Sequence, residues 1–89
     1  MEVDLFTMSR AAEAATSPLY GSILPGYGLS NGRTERRIAV IGVISGFATL
    51  RQGLTSDTVY VDPLDAAKVM VRLDPVSVPA FTAAMTATA

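Results

Sequence analysis

The sequence contains no cysteine and no histidine. The absence of cysteine excludes disulfides, thiolate nucleophiles and cysteine-ligated metal sites. The absence of histidine removes the most common general base and the most common zinc ligand. A serine nucleophile would still need a positioned base, and the one lysine, Lys68, lies in no recognisable serine–lysine motif. We therefore expect a protein that is not an enzyme and that uses no cofactor, metal or small-molecule substrate.

Charge is sparse and nearly balanced in this chain. Charged residues make up 17% of it and the net charge is −1, whereas average soluble proteins carry about 25% charged residues. This balance does not provide the excess of positive charge that is typical of nucleic-acid-binding proteins. Hydrophobic residues make up 49% of the chain, and a small protein with so little charge is expected to dissolve poorly alone. The composition predicts burial in a protein assembly or, as an alternative, at a membrane.

The length of 89 residues suits one small domain that spans residues 1–89. A globule of this size buries only about 60–65% of the surface that its unfolded chain exposes. Small domains often need disulfides, metals or partner chains, and the first two are not expected here. Other protein chains, in a homo-oligomer or a hetero-oligomer, are the predicted source of additional stability.

A short amphipathic helix is predicted over residues 2–16. This stretch is rich in alanine and free of glycine and proline. Its apolar residues recur at helical spacing, at Leu5, Met8, Ala12 and Ala15. Pro18 ends the helix, because the residue before a proline avoids the helical region. The acidic start of the chain does not match a secretory leader, so we expect no secretory signal.

Residues 17–34 are predicted to form a long, ordered loop that lies extended against another surface. Turns are expected at Pro25 and Gly26 and at Asn31 and Gly32. The segment also holds more large apolar side chains than disordered linkers carry. Aromatic and aliphatic anchors supply most of the energy of protein interfaces. The predicted anchors of this loop on a partner chain are Leu19, Tyr20, Ile23, Leu24 and Tyr27.

The strongest pattern is the uncharged run at residues 38–50, which is rich in β-branched residues and bounded by arginines. The favoured interpretation is a buried strand, bulged or bent at Gly42 or Gly46. A buried helix is a second interpretation. A membrane-embedded segment, with Arg37 and Arg51 reaching the lipid surface, is the third, although a spanning helix needs about 20 apolar residues.

The β core is predicted to extend over residues 35–74. Residues 58–61 indicate a short strand, the return arm of a hairpin. Asp62 and Pro63 are typical of the start of a helix, which is expected to be brief. Residues 68–73 alternate between apolar and polar side chains, as a half-buried strand does. A helix over residues 63–73 is the alternative.

The C-terminal arm covers residues 75–89 and is expected to be extended or helical. Phe81 and Met85 are four residues apart, so they would meet on one side of a marginal helix. We predict that these two side chains anchor the arm on a partner chain. The resulting fold class is a small α+β domain with a mostly β core: an N-terminal helix, an apolar loop, about three strands and the arm.

Two clusters of charge admit functional interpretations. The arginines Arg33, Arg36 and Arg37, with tyrosines upstream, could contact nucleic acid, but Glu35 interrupts them. The densest carboxylates are Asp57, Asp62 and Asp65. They lack the pattern of a calcium-binding loop, so capping and turn formation are the favoured roles.

These features together predict a non-enzymatic structural subunit of a large protein assembly that acts by packing against other chains. A virus or phage particle is the leading example, with the chain as a minor capsid, decoration, cement or tail-associated protein located in the virion. The first alternative is an accessory subunit of a membrane protein complex. The second is a small nucleic-acid-binding or regulatory module.

Overall fold

A six-stranded antiparallel sheet organises the residues that the computed structural model describes, which are 1–28, 35–52 and 57–88. The strands are β1 (Glu2–Asp4), β2 (Leu19–Ile23), β3 (Arg36–Ile44), β4 (Phe47–Gln52), β5 (Thr58–Val61) and β6 (Met70–Leu73), in the spatial order β1-β6-β2-β3-β4-β5. The helices are α1 (Leu5–Ala15), α2 (Pro63–Ala66) and α3 (Val78–Thr88), with a 3-10 turn at Pro75–Ser77. The predicted α+β class is confirmed, but the expectation of about three strands understates the sheet.

The N-terminal helix is confirmed, with a later start than predicted. Asp4 ends β1 and also caps α1, because its carboxylate accepts hydrogen bonds from the Thr7 amide at 2.9 Å and the Thr7 hydroxyl at 2.7 Å. Thr16 ends the helix in the left-handed conformation, with φ 52°. Residues 2–4 are not helical because they pair with β6, a strand from near the other end of the chain.

The prediction of a loop over residues 17–34 is wrong for β2, which is a central strand between β6 and β3. Leu19, Gly21 and Ile23 are buried on one side of β2, so the surface against which this segment lies belongs to the chain itself. Because Gly21 has no side chain, the sequence of β2 does not show the regular alternation of apolar and polar residues that predicts a half-buried strand. The predicted turn at Gly26 is present, with φ 91°. Residues 29–34, including the turn predicted at residues 31–32, lie outside the described residues.

The uncharged run forms a hairpin, so the strand interpretation is confirmed and the helix interpretation is wrong. A β-bulge shifts the register of β3 against β4 between Val40 and Gly42. Ser45 and Gly46 make the turn, with φ of 52° and 84°. Positive φ at both central residues is what tight hairpins of this kind require, and thus Gly46 reverses the chain instead of bending one strand.

The strand predicted at residues 58–61 is confirmed as β5, which pairs with β4 as the return arm of a second hairpin. Residues 63–73 contain both predicted elements. Asp62 caps the brief helix α2 by accepting a hydrogen bond from the Leu64 amide at 2.9 Å. The chain then enters β6, which lies between β1 and β2 and buries Val71 and Leu73 on one side.

The C-terminal arm is helical from residue 78 and packs on the chain's own α1. Asp74 caps the preceding 3-10 turn, since its carboxylate accepts a hydrogen bond from the Val76 amide at 3.1 Å. Phe81 and Ala84 are buried in the core. Of the two forms expected for the arm, the helical one is therefore confirmed.

The three helices lie on one side of the sheet. α1 packs across β3 and β4, and both α2 and α3 contact α1. The core between these layers includes Leu5, Met8, Leu19, Ile23, Ile38, Val40, Leu50 and Val71. No helix among the described residues covers the opposite face of the sheet, and this open face is where the candidate site lies.

Candidate interaction surface on the open sheet face

The register of the strands shows which side chains belong to the open face. Directly opposed residues of antiparallel strands project to the same side, and successive residues project to opposite sides. Leu19, Val40 and Leu50 are opposed in register and fully buried against the helices. Tyr20 follows Leu19 in β2 and therefore projects from the open face.

Four large hydrophobic side chains are exposed on this face, and we call them the open-face patch. They are Tyr20, Ile44, Phe47 and Tyr60, with exposed fractions of 41%, 46%, 41% and 57%. Ile44 and Phe47 lie directly opposite each other next to the hairpin turn. Phe47 shares its side of β4 with Thr49, the neighbour of core-facing Leu50. Tyr60 lies directly opposite Thr49, which places it on the same face.

Three arginines project from the open face. Arg51 shares its side of β4 with Phe47 and Thr49 and lies directly opposite Thr58, whereas the other two are paired with carboxylates of the same chain. Arg37 and Arg72 lie directly opposite Ser22 on the two neighbouring strands. Arg37 Nη2 lies 2.7 Å from Asp74 Oδ2, and Arg72 donates to Glu35. Exposed ion pairs contribute only about 0–1 kcal/mol to stability. Their main effect here is to neutralise guanidinium charge on this side of the sheet.

The structure divides the predicted loop anchors between core and surface. Leu19 and Ile23 are fully buried in the chain's own core, whereas Tyr20 is exposed. Leu24 is half-buried and donates its amide to the Met70 carbonyl. Tyr27 is half-buried against the core cluster. Of these loop residues, Tyr20 is the one whose side chain a partner chain would reach most readily.

The two anchors predicted in the C-terminal arm are also separated. Phe81 is only 7% exposed and belongs to the core, whereas Met85 is 38% exposed. Met85 is not part of the open-face patch, because α3 packs on the helical side of the sheet. A partner that contacted both Tyr20 and Met85 would have to reach both layers of the domain.

Sequence analysis missed Ile44, Phe47 and Tyr60 as surface residues. The first two were assigned to a buried core strand, and Tyr60 was treated only as part of a strand. Their exposure depends on which face the helices cover. The available signal was the alternation of apolar and polar residues in β5, where Val59 and Val61 face the core and Tyr60 faces away.

The charged clusters serve structural roles where the structure describes them. Arg36 donates to the Gln52 side chain at 3.5 Å, and Arg33 lies outside the described residues. Asp62 caps α2. Within residues 1–28, 35–52 and 57–88, no group of three or more Asp, Glu, His or Cys residues could hold a metal ion.

No described helix is long and apolar enough to cross a membrane. The open-face patch is the feature of the described surface that most needs a functional explanation. Comparison of the chain with protein-family models, with curated proteins and with solved structures found no match.

Proposed function

We propose that the chain is a non-enzymatic structural subunit of a larger protein assembly and that it binds other protein chains through the open-face patch. The observation that carries the proposal is the gathering of four exposed hydrophobic side chains on one helix-free sheet face. Two tyrosines and a phenylalanine are among them, and aromatic residues are enriched in the energetically important centres of protein interfaces.

The patch is suited to burial by a flat, largely apolar partner surface. Complete burial of a large apolar side chain contributes about 1.5–3 kcal/mol relative to exposure. Tyr20 and Tyr60 can in addition keep a hydrogen bond at the rim of an interface through their hydroxyl groups. Arg37 and Arg72 are already paired with acids of the same chain, which leaves less positive charge beside Tyr20 for a polyanion, although Arg51 also projects from this face.

A virus or phage particle is our leading proposal for the assembly, with the chain as a minor capsid, decoration or tail-associated component. The support is physical: a small chain with few charges and an exposed hydrophobic face gains stability when a partner binds its folded form. An accessory role in a membrane protein complex and a nucleic-acid-binding role remain the alternative predictions.

The proposal is tested by sedimentation of the tagged chain from its source cell. We expect the native chain to travel with a complex much larger than a monomer. Ile44→Ser should shift it to slower fractions, because the change removes an apolar contact from the patch. Val76→Ser is the matched control, since Val76 is also exposed, at 74%, but lies in the 3-10 turn outside the patch.

Two results would contradict the proposal. One is a native chain that sediments as a monomer. The other is equal loss of the large complex in the Ile44 and Val76 variants, because the effect would then not depend on the open face. Circular dichroism of both variants is the control that they remain folded. Nuclease treatment of the same fractions distinguishes a protein assembly from a nucleic-acid complex.

A further inference from the structure

The two edges of the sheet differ in how well they are protected against pairing with another strand. β1 is one edge. It is three residues long and carries two carboxylates, and Glu2 lies 3.8 Å from Arg72 in an ion pair. β5 is the other edge, and Thr58–Val61 contains neither charge nor proline. Natural sheets use short strands, charges and proline to block edge pairing. β5 is also short, at four residues, but unlike β1 it carries no charge within the strand.

We propose that β5 pairs antiparallel with β5 of a second copy of this chain, so that one sheet continues across a two-fold symmetric dimer. Within the described residues β5 has a single neighbour, β4, so its outer side has no strand partner there. In a two-fold symmetric pair both chains use the same strand, and every hydrogen bond that one chain donates is matched by an equivalent bond that it accepts. The partner therefore needs no feature that the chain itself lacks.

The faces of the sheet restrict the register of such a dimer. In a continuous sheet, directly opposed residues must project to the same side. Val59 and Val61 face the core, and Tyr60 faces away. The symmetric registers that satisfy this rule are centred on a residue, and those centred on Val59 and on Tyr60 each align three residues of β5. The register centred on Tyr60 places Tyr60 opposite Tyr60 of the second copy. Val59 then lies opposite Val61 of that copy, on the core side.

Side-chain pairing favours this register over its neighbours, because it opposes apolar and aromatic residues to one another and an Asp carboxylate to a threonine hydroxyl instead of to valine. With Tyr60 at the centre, Asp62 lies opposite Thr58 of the second copy, and no two carboxylates of the strand ends oppose each other. A register centred on Val59 would place Asp57 opposite Val61. A register centred on Val61 would place Pro63, which has no amide hydrogen to donate, opposite Val59.

The chosen register also buries the most exposed member of the open-face patch, since Tyr60 is 57% exposed in the single chain. Cross-strand aromatic pairs of this kind stabilise antiparallel sheets. Tyr20, Ile44 and Phe47 stay uncovered on the same side of both copies. The dimer proposal therefore does not rest on the proposed function. The remaining patch can bind other chains whether or not the dimer forms.

Single-cysteine variants test the register directly, because the chain has no cysteine of its own. Directly opposed residues in antiparallel strands have Cα atoms about 4.5–5.5 Å apart, which suits a disulfide. Tyr60→Cys should form a covalent dimer under mild oxidation. Thr58→Cys should not, because the two copies of residue 58 are offset by about 13 Å along the strands. Tyr20→Cys, on a central strand, is the second control.

A charge swap tests the association itself. Light scattering should give the native chain twice the monomer mass, and Tyr60→Lys should reduce it to the monomer mass by placing like charges opposite each other. Tyr20→Lys makes the same exchange on the open face away from the edge and should leave the dimer intact. A mixture of Tyr60→Lys and Tyr60→Glu chains should restore the dimer.

The proposal is overturned if the native chain stays monomeric up to millimolar concentration and Tyr60→Cys yields no covalent dimer. It is also overturned if Tyr20→Lys dissociates the dimer as fully as Tyr60→Lys, because the contact would then be the open face. If the chain is a monomer in these experiments but sediments with a large complex in the cell, the dimer proposal is wrong and the proposed function stands.

Discussion

Replacement of Gly21 by alanine is the sharpest test of the packing between the sheet and α1. An added Cβ would lie 2.8 Å from the Arg72 carbonyl oxygen, 2.9 Å from Val71 Cγ1 and 3.2 Å from Met8 Cε. Carbon contacts are optimal at about 3.5–4.0 Å, so these atoms would have to move. The carbonyl oxygen is the least able to do so, because β6 is held by strands on both sides.

The expected cost follows from this crowding. Insertion of a methyl group into a filled core destabilises proteins by about 1–3 kcal/mol. In a domain of 60–100 residues, each kcal/mol lowers the melting temperature by about 4–8 °C. We therefore expect Gly21→Ala to lower Tm by roughly 5–20 °C in thermal unfolding followed by circular dichroism. Urea unfolding should show a lower midpoint with an unchanged slope.

Gly28→Ala is the matched control for this prediction. A Cβ at Gly28 would meet no atom of the described residues within 4 Å, so no clash with them is expected from the same substitution. It should leave stability unchanged or raise it by up to about 1 kcal/mol, because alanine restricts the unfolded chain. The two variants must be compared at equal protein concentration, since dimerisation would raise both melting temperatures. Equal stability of the two variants would refute the close approach of β2 to β6 and α1.

Three further substitutions test the caps, the core and the surface charges. Asp4→Ala removes the cap that receives the Thr7 amide and should cost about 0.5–2 kcal/mol in urea unfolding. Phe81→Ala should cost about 3–5 kcal/mol in the same assay if α3 is part of the core, whereas a loose arm would lose almost nothing. Arg37→Met removes the ion pair to Asp74 at the surface and should change the unfolding free energy by less than about 1 kcal/mol, a difference that should shrink as added salt screens the pair.

The local signals in the sequence predicted several elements well. Asp62 and Pro63 indicated the start of α2, and the alternation at residues 68–73 indicated β6, because both patterns act over a few neighbouring residues. β1 could not be found in the same way. Residues 2–4 continue into a helical pattern, and they are extended only because β6 pairs with them. Tertiary pairing therefore overrides the local preference there.

The candidate surface was predicted only in part for a similar reason. The sequence predicts Tyr20 as an interface residue because it is a large aromatic side chain in an apolar segment that is expected to lie as a loop on a partner. Ile44 and Phe47 lie in a strongly apolar run, where each residue has the pattern of a core residue. Which side chains of the sheet are left exposed depends on where α1 packs, and that is decided by long-range contacts that periodicity does not reveal.

The central place of β6 has a consequence for how the chain is made. β6 lies between β1 and β2, so β1 has no strand neighbour, and β2 has only β3, until residues 70–73 have been synthesised. The hairpins formed by β3, β4 and β5 pair residues that are close in sequence and can form sooner, since short loops close at low entropic cost. We expect a released chain truncated before residue 70 to protect this half of the sheet from proteolysis while the N-terminal helix remains accessible. Completion of the domain is thus a late event that waits for a strand from the last part of the chain.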